Sequence, residues 1–198
     1  MNVTKFIGAI VVASVVAGCA QVSHVASGEV VVRNKMAVTI DQPWNQFERS
    51  PGGDNHPTWT IDGITVDALK FYVGLSEGDL IAPTPNEPKG QKTLAFKSSM
   101  NQQEILNLFE GLYSRGGSTF VLDRVAPHAF MGKGGFKAEW SGIRKTDNVR
   151  LKGVVWASVH NGQLYAMTFT APALAFFGKN QAAVEKVVAS ARIKPGAR

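Results

Sequence analysis

Two long apolar segments, residues 149–160 and 163–171, meet at Asn161-Gly162, and this junction constrains the fold more than any other feature of the chain. Asn-Gly readily adopts the positive φ angles of a type I′ turn, so the segments read as the arms of an antiparallel hairpin. A two-residue turn sets the register. It pairs His160 with Gln163, Val159 with Leu164, Ser158 with Tyr165, Ala157 with Ala166 and Trp156 with Met167. One face then carries Trp156, Tyr165, Met167 and Phe169, and the other carries Val155, Ala157, Val159, Leu164 and Ala166. Both faces are apolar at mid-strand, whereas a sheet with one wet face alternates apolar with polar. The expectation is a sheet buried on both sides, with small residues on the second face letting a helix approach.

The remaining segments supply partners for this hairpin. Residues 30–33 and 36–40 flank Asn34 and predict a first hairpin, and the Pro/Gly-rich stretch 42–57 reads as turns. Residues 58–61 and 64–75 lie on either side of Asp62-Gly63, a second tight-turn dipeptide. The stretch 78–91, with Pro83, Pro85 and Pro88, predicts a long loop. Asn101 and Glu104 have capping-box spacing, and Ile105, Leu108, Phe109 and Leu112 follow as one apolar helical stripe that Gly116-Gly117 ends. Residues 119–125 and 136–144 read as two more strands. Asn180 is expected to cap a last helix, in which Val184, Val187, Val188 and Ala191 recur at helical spacing.

The N-terminus points to export. Lys5 precedes an apolar run of eleven residues, 6–16, followed by small residues, which is the plan of a secretory signal. The run is too short for a bilayer, which needs ~20 apolar residues. Val16-Ala17-Gly18-Cys19 resembles the bacterial lipobox, although the family usually carries Leu where Val16 stands. Cys19 is the single cysteine of the chain, so no disulfide forms within it. The resemblance implies lipidation of Cys19, cleavage before it and acylation of the new amine, because two or more acyl chains hold a membrane stably. Ala20 after the cysteine implies the outer membrane, periplasm-facing, with the periplasmic face of the inner membrane as the alternative. The expected organisation is a signal peptide over 1–18, a tether over 19–28 and one globular domain over 29–198.

A second resemblance covers residues 153–193. The strand 154–159, the Asn161-Gly162 turn, the Gly162-Gln163-Leu164-Tyr165 return, Phe176-Phe177 and a final helix ending Val188-Ala189-Ser190-Ala191 resemble the end of a PsbP-like domain. That family occurs in photosystem accessory proteins and Ran-binding relatives. It implies an α+β fold, an antiparallel β-sheet covered by helices in an α/β/α sandwich. The whole chain also resembles uncharacterised proteobacterial lipoproteins, through Trp59-Thr60-Ile61-Asp62-Gly63 and through Leu164-Tyr165 followed by Thr170-Ala171-Pro172-Ala173. Such scaffolds carry many roles, so the resemblance implies fold more than function.

Catalytic motifs are missing from the sequence. It has no G-x-S-x-G elbow, H-E-x-x-H or phosphate loop. His24, His56, His128 and His160 lack metal-ligand spacing, so neither a metal nor a cofactor is expected. Trp44, Trp59, Trp140 and Trp156 read as core residues rather than a ligand pocket. Charge is uneven. Residues 19–88 hold four basic and nine acidic residues, and residues 89–198 hold sixteen and six. Lys133, Lys137, Arg144, Lys145, Arg150 and Lys152 fall on and between two consecutive strands and form the candidate contact patch. Besides the membrane that holds Cys19, the expected partner is anionic lipid or an acidic envelope protein, not nucleic acid. The expected role is a non-catalytic envelope module, with a small-ligand binder or unrecognised hydrolase as the alternative.

Overall fold

The computed structural model describes residues 22–47, 55–82 and 94–194. These form strands β1 (Val22–Val25), β2 (Gly28–Val32), β3 (Met36–Ile40), β4 (Trp44–Phe47), β5 (Thr58–Thr60) and β6 (Ala68–Leu75), then helix α1 (Gln102–Tyr113). Strands β7 (Val121–Phe130), β8 (Lys133–Arg144), β9 (Val149–His160) and β10 (Gln163–Pro172), helix α2 (Phe176–Ser190) and strand β11 (Arg192–Ile193) complete the order. Eight strands make one sheet, β1-β4-β5-β6-β10-β9-β8-β7, and three make a second, β11-β3-β2.

The β9–β10 hairpin turns at Asn161 and Gly162, with φ of 50° and 74°. It pairs in the expected register from Gln163 opposite His160 to Met167 opposite Trp156. The 30–40 hairpin also forms, as β2 paired with β3 through Arg33 and Asn34 at positive φ. Helix α1 starts at the expected capping box: Asn101 Oδ1 accepts from Glu104 N at 3.0 Å, and Asn101 N donates to Glu104 Oε2 at 2.8 Å. A 3-10 turn, Arg115–Gly117, ends it with Gly116 at φ 65°.

Both faces of the large sheet are buried. Trp156, Tyr165, Met167, Phe169 and Phe71 pack with Met36 and Val38 of β3 and Val184, Val187 and Val188 of α2. On the other face Ala157, Ala166, Leu164, Phe136 and Tyr72 pack with Ile105 and Phe109 of α1 and with Ile81, Leu94 and Phe96. The expected helix-covered α/β/α sandwich is nevertheless corrected. Eleven strands in two sheets dominate the described residues, with two helices of 12 and 15 residues. The reason is dimensional. Eight strands spaced ~4.8 Å apart span about 34 Å, while one helix with its side chains is ~10–12 Å across. Sheet β11-β3-β2 and the extended segments around Ile81 and Phe96 therefore share the cover. Strand β7, at the far edge, is left with exposed Val121, Leu122 and Val125.

Four local expectations also change. Trp44–Phe47, within the stretch 42–57 read as turns, forms β4 and pairs with β5. Val22–Val25, within the stretch read as a tether, forms β1 and pairs with β4. Asp62-Gly63 makes no two-residue turn. β5 and β6 do pair, Thr58 with Lys70 and Trp59 with Leu69, but residues 61–67 intervene as a loop. The buried Asp67 carboxylate closes that loop, accepting from Thr60 Oγ1 at 2.5 Å, Ile61 N at 2.9 Å and Asp62 N at 2.8 Å. Asn180 does not cap α2, which begins four residues earlier at Phe176. It is buried and donates to Asp62 Oδ2 at 2.8 Å, and Lys179 adds an ion pair to the same carboxylate. These two partners, Lys179 first, hold the Asp62 carboxyl below the usual carboxylate range.

Candidate functional site

Because residues 61–67 loop out instead of turning tightly, they wall a cavity of about 260 Å³ at one end of the large sheet. The opposite wall is the end of α1 with the Arg115 turn, and the floor is Trp140 of β8 with Leu151 of β9 and Thr170 of β10. Trp140 lies flat across the sheet because its neighbour on β9 is Gly153. A Cβ there would meet indole Cε2, Nε1 and Cζ2 at 2.2, 2.3 and 2.5 Å. Phe120 stacks on the indole at 5.0 Å between centroids, and Tyr113 lies at 4.6 Å. Trp140 is 2% exposed, and its Nε1–H finds no acceptor among the described residues.

The polar groups around this floor are mostly donors. Thr119 Oγ1 accepts from Ile143 N at 2.8 Å and Ser118 Oγ accepts from Lys145 N at 3.2 Å, so each hydroxyl keeps its proton to give. Arg144 holds Asp147 through Nε at 2.9 Å and Nη2 at 2.6 Å. That contact keeps the Asp147 carboxyl below its ordinary range. Asp67, also on the wall, has its oxygens occupied by Thr60, Ile61 and Asp62.

A buried serine–histidine pair lies elsewhere, on β9. Ser158 Oγ and His160 Nε2 are 2.9 Å apart, and Ser158 Oγ lies 3.1 Å from the Phe130 carbonyl. The carbonyl only accepts, so the serine proton goes to it and Nε2–H donates to Oγ. In this arrangement the histidine is not a base toward the serine. Burial pushes the His160 pKa down.

The candidate contact residues are not one patch. Register with β9 places Lys137 opposite Trp156, Ser141 opposite Lys152 and Ile143 opposite Arg150, so Lys137, Arg150 and Lys152 share the face that packs on α2. Lys133, two residues before Gly135, alternates onto that face at the other end of β8. Arg144 points to the opposite face and Lys145 sits in the β8–β9 turn. Lys137 is engaged with Glu139 at 3.0 Å and Glu185 at 3.3 Å, over the Trp156 ring. A strand alternates every residue, so six cations spread over two strands and their turn divide between faces. Cys19 lies outside the described residues. Of the four tryptophans read as core, all are buried, but Trp140 also floors the cavity. Its spacing in the sequence carries no sign of that role.

No protein-family model matches the chain, and no curated protein matches it. The expected membership among proteobacterial lipoproteins therefore gains no support. Among solved structures, the chain is similar to cyanobacterial PsbP (CyanoP) from Synechocystis sp. PCC 6803, with 10% identity, a TM-score of 0.54 and coverage of 90% of this chain and 96% of that one. A second match is LpqN, involved in cell envelope biogenesis of Mycobacterium tuberculosis. It has 9% identity and covers 91% of this chain and 88% of that one, but a TM-score of 0.36 is too low to equate the folds. The CyanoP likeness agrees with the residues 153–193 that resemble a PsbP-like domain, and on it the chain has a PsbP-like fold.

Proposed function

We propose that this chain is a lipid-anchored protein of the bacterial cell envelope, facing the periplasm, and that it acts by binding rather than by turnover. The observation that carries the reading is Cys19, the chain's single cysteine, placed directly after Val16-Ala17-Gly18 and an apolar run of export length. Strand β1 begins at Val22. A lipid on Cys19 would thus be within about 11 Å of the sheet edge, at ~3.6 Å per residue. The cations of β8 and β9 lie five or six strands from β1, about 25–30 Å away. These cations are proposed to meet an acidic envelope protein or anionic lipid. The engaged proton of Ser158 supports binding over hydrolysis. The cavity beside Trp140 favours a second reading, a small-ligand binder.

The test is Cys19→Ser in the native host. Loss of lipid labelling and release from the membrane fraction are expected. Retention on membranes after a high-salt wash overturns the anchor, and turnover of ester, phosphate or peptide substrates overturns the non-catalytic role.

A further inference from the structure

We propose that one end of the large sheet lies on an anionic lipid surface and so fixes the orientation of the anchored domain. This inference rests on the anchored reading and adds a second membrane contact to it. The first observation is where exposed apolar side chains fall. Val121, Ile143 and Leu174 are 57%, 39% and 96% exposed, and the register gathers them at the end where β8 stops and β9 starts. Val121 lies opposite Ser141, which lies opposite Lys152, and Ile143 lies opposite Arg150. Ala173 N donates to the Arg150 carbonyl at 2.9 Å, so Leu174 stands beside the same strand start. Directly opposite residues share a face, and so do alternate residues of one strand. Val121, Ile143, Arg150 and Lys152 are therefore on one side of the sheet. Helix α2 packs on that side further along, against Trp156 and Met167, and leaves Arg150 and Lys152 exposed.

The second observation is charge. Arg150, Lys152 and, in the turn, Lys145 are exposed, and none of the three has an acidic partner among the described residues. The nearby ion pairs join Arg144 to Asp147 and Lys179 to Asp62 instead. Asp123, the acid beside Val121, accepts from Ser141 Oγ at 2.9 Å. Cations therefore prevail at this end of the sheet. The third observation is how the two kinds of side chain alternate. Arg150 stands between Ile143 and the Ala173–Leu174 segment, so the apolar groups form no continuous face of the kind that makes the core of a protein interface. Single apolar tips set among cations suit a bilayer surface, where the tips enter the acyl boundary and the cations stay at the phosphates. Each cation near an anionic surface strengthens attachment about fivefold. One lipid anchor leaves a domain free to swivel, and a second contact five or six strands from β1, about 25–30 Å away, sets which face looks away from the membrane.

The test uses the protein extracted from host membranes, carrying Leu174→Trp, and returned to vesicles of phosphatidylcholine alone or with about one-third phosphatidylglycerol. Leu174 is almost bare, so its replacement does not endanger the fold, and the four native tryptophans are buried, so brominated acyl chains report on the introduced indole. The expected result is a blue shift and quenching in the anionic vesicles and neither in phosphatidylcholine. Arg150→Gln with Lys152→Gln should lower the ratio of inserted to free state about 25-fold, two losses of about fivefold each. Salt at about 1 M should act in the same direction by screening. Val31→Trp, on the second sheet, should stay unquenched. Equal quenching in the two kinds of vesicle overturns the proposal, as does parental quenching in the double Gln variant or equal quenching in Val31→Trp. Burial of the indole only when envelope proteins are added identifies a protein interface and overturns it as well. Flotation of the same vesicles reads the anchor separately. Protein that floats with its indole exposed keeps the anchor and refutes the second contact, and protein that floats with neither kind of vesicle refutes both.

Discussion

Gly153→Ala places a methyl group inside the space of the Trp140 indole. The new Cβ would stand 2.2 Å from Cε2 and 2.3 Å from Nε1, where carbon atoms settle at ~3.5–4.0 Å. The ring has to rise by more than an ångström, and it rises into Phe120 at 5.0 Å and Tyr113 at 4.6 Å. Overpacking of this kind costs about 1–3 kcal/mol, and two displaced aromatic pairs add about 0.5–1.5 kcal/mol each. The expected loss is about 2–6 kcal/mol, a large part of the ~5–15 kcal/mol that holds a domain together. At ~2–4 °C per kcal/mol for a domain of this size, Tm falls by about 4–24 °C. Urea unfolding followed by tryptophan fluorescence measures it, and a double-mutant cycle assigns it. In a Trp140→Ala background the added methyl has nothing to strike, and Ala relieves some backbone entropy. The penalty should then vanish or change sign. A Gly153→Ala variant within about 0.5 kcal/mol of the parent, the range of a bland surface change, would refute the reasoning, and so would an equal penalty in both backgrounds.

Other perturbations test the elements that build the cavity and its neighbours. Asp67→Ala removes three hydrogen bonds that close residues 61–67. At ~1.5–3 kcal/mol for each bond to a charge, less the water regained, a loss of about 3 kcal/mol or more is expected; an unchanged urea midpoint would contradict the loop's role. Asn161→Val with Gly162→Val forces β-branched residues to φ near 50° and 74°, with a loss of about 1–3 kcal/mol per residue. Parental thermal stability would exclude strain at the turn. Burial lowers the His160 pKa from its ordinary 6.5, so below that pH the unfolded chain binds the proton more readily than the folded one. Stability from this group is full above pH 6.5 and declines as pH falls toward the lowered folded value. His160→Phe should flatten the slope of unfolding free energy against pH in that window; an identical slope assigns it to other groups.

How much of the fold was legible in the chain follows the range of the forces involved. The Asn161-Gly162 turn, its register and the two buried faces could be read directly, because turn geometry and alternation are set by neighbours in the chain. The capping box of α1 is local in the same way. Asp62-Gly63 carried the same local signal and behaved differently. Asp62 is claimed by Lys179 and Asn180, 117 and 118 residues away, and Asp67 organises the chain between β5 and β6. Local preference lost there to long-range hydrogen bonds. Asn180 misled for the same reason, since a side chain that can cap a helix can also be buried against a distant carboxylate.

The sequence by itself determined most of the long strands, the central hairpin, both helices in outline, the export-like N-terminus and the lone Cys19, all features carried by adjacent residues or by short periodicities, while the short edge strands β1, β4 and β11 carried no such signal. The tertiary structure alone decided what covers the sheet, because one helix per face is too narrow for eight strands, and the second sheet on the α2 face and the extended segments around Ile81 and Phe96 on the α1 face share the cover. It also divided six nearby cations between two faces. Finally, it set Trp140, a core residue at 2% exposure, at the edge of a cavity where β8, the end of α1 and the loop at Asp67 meet.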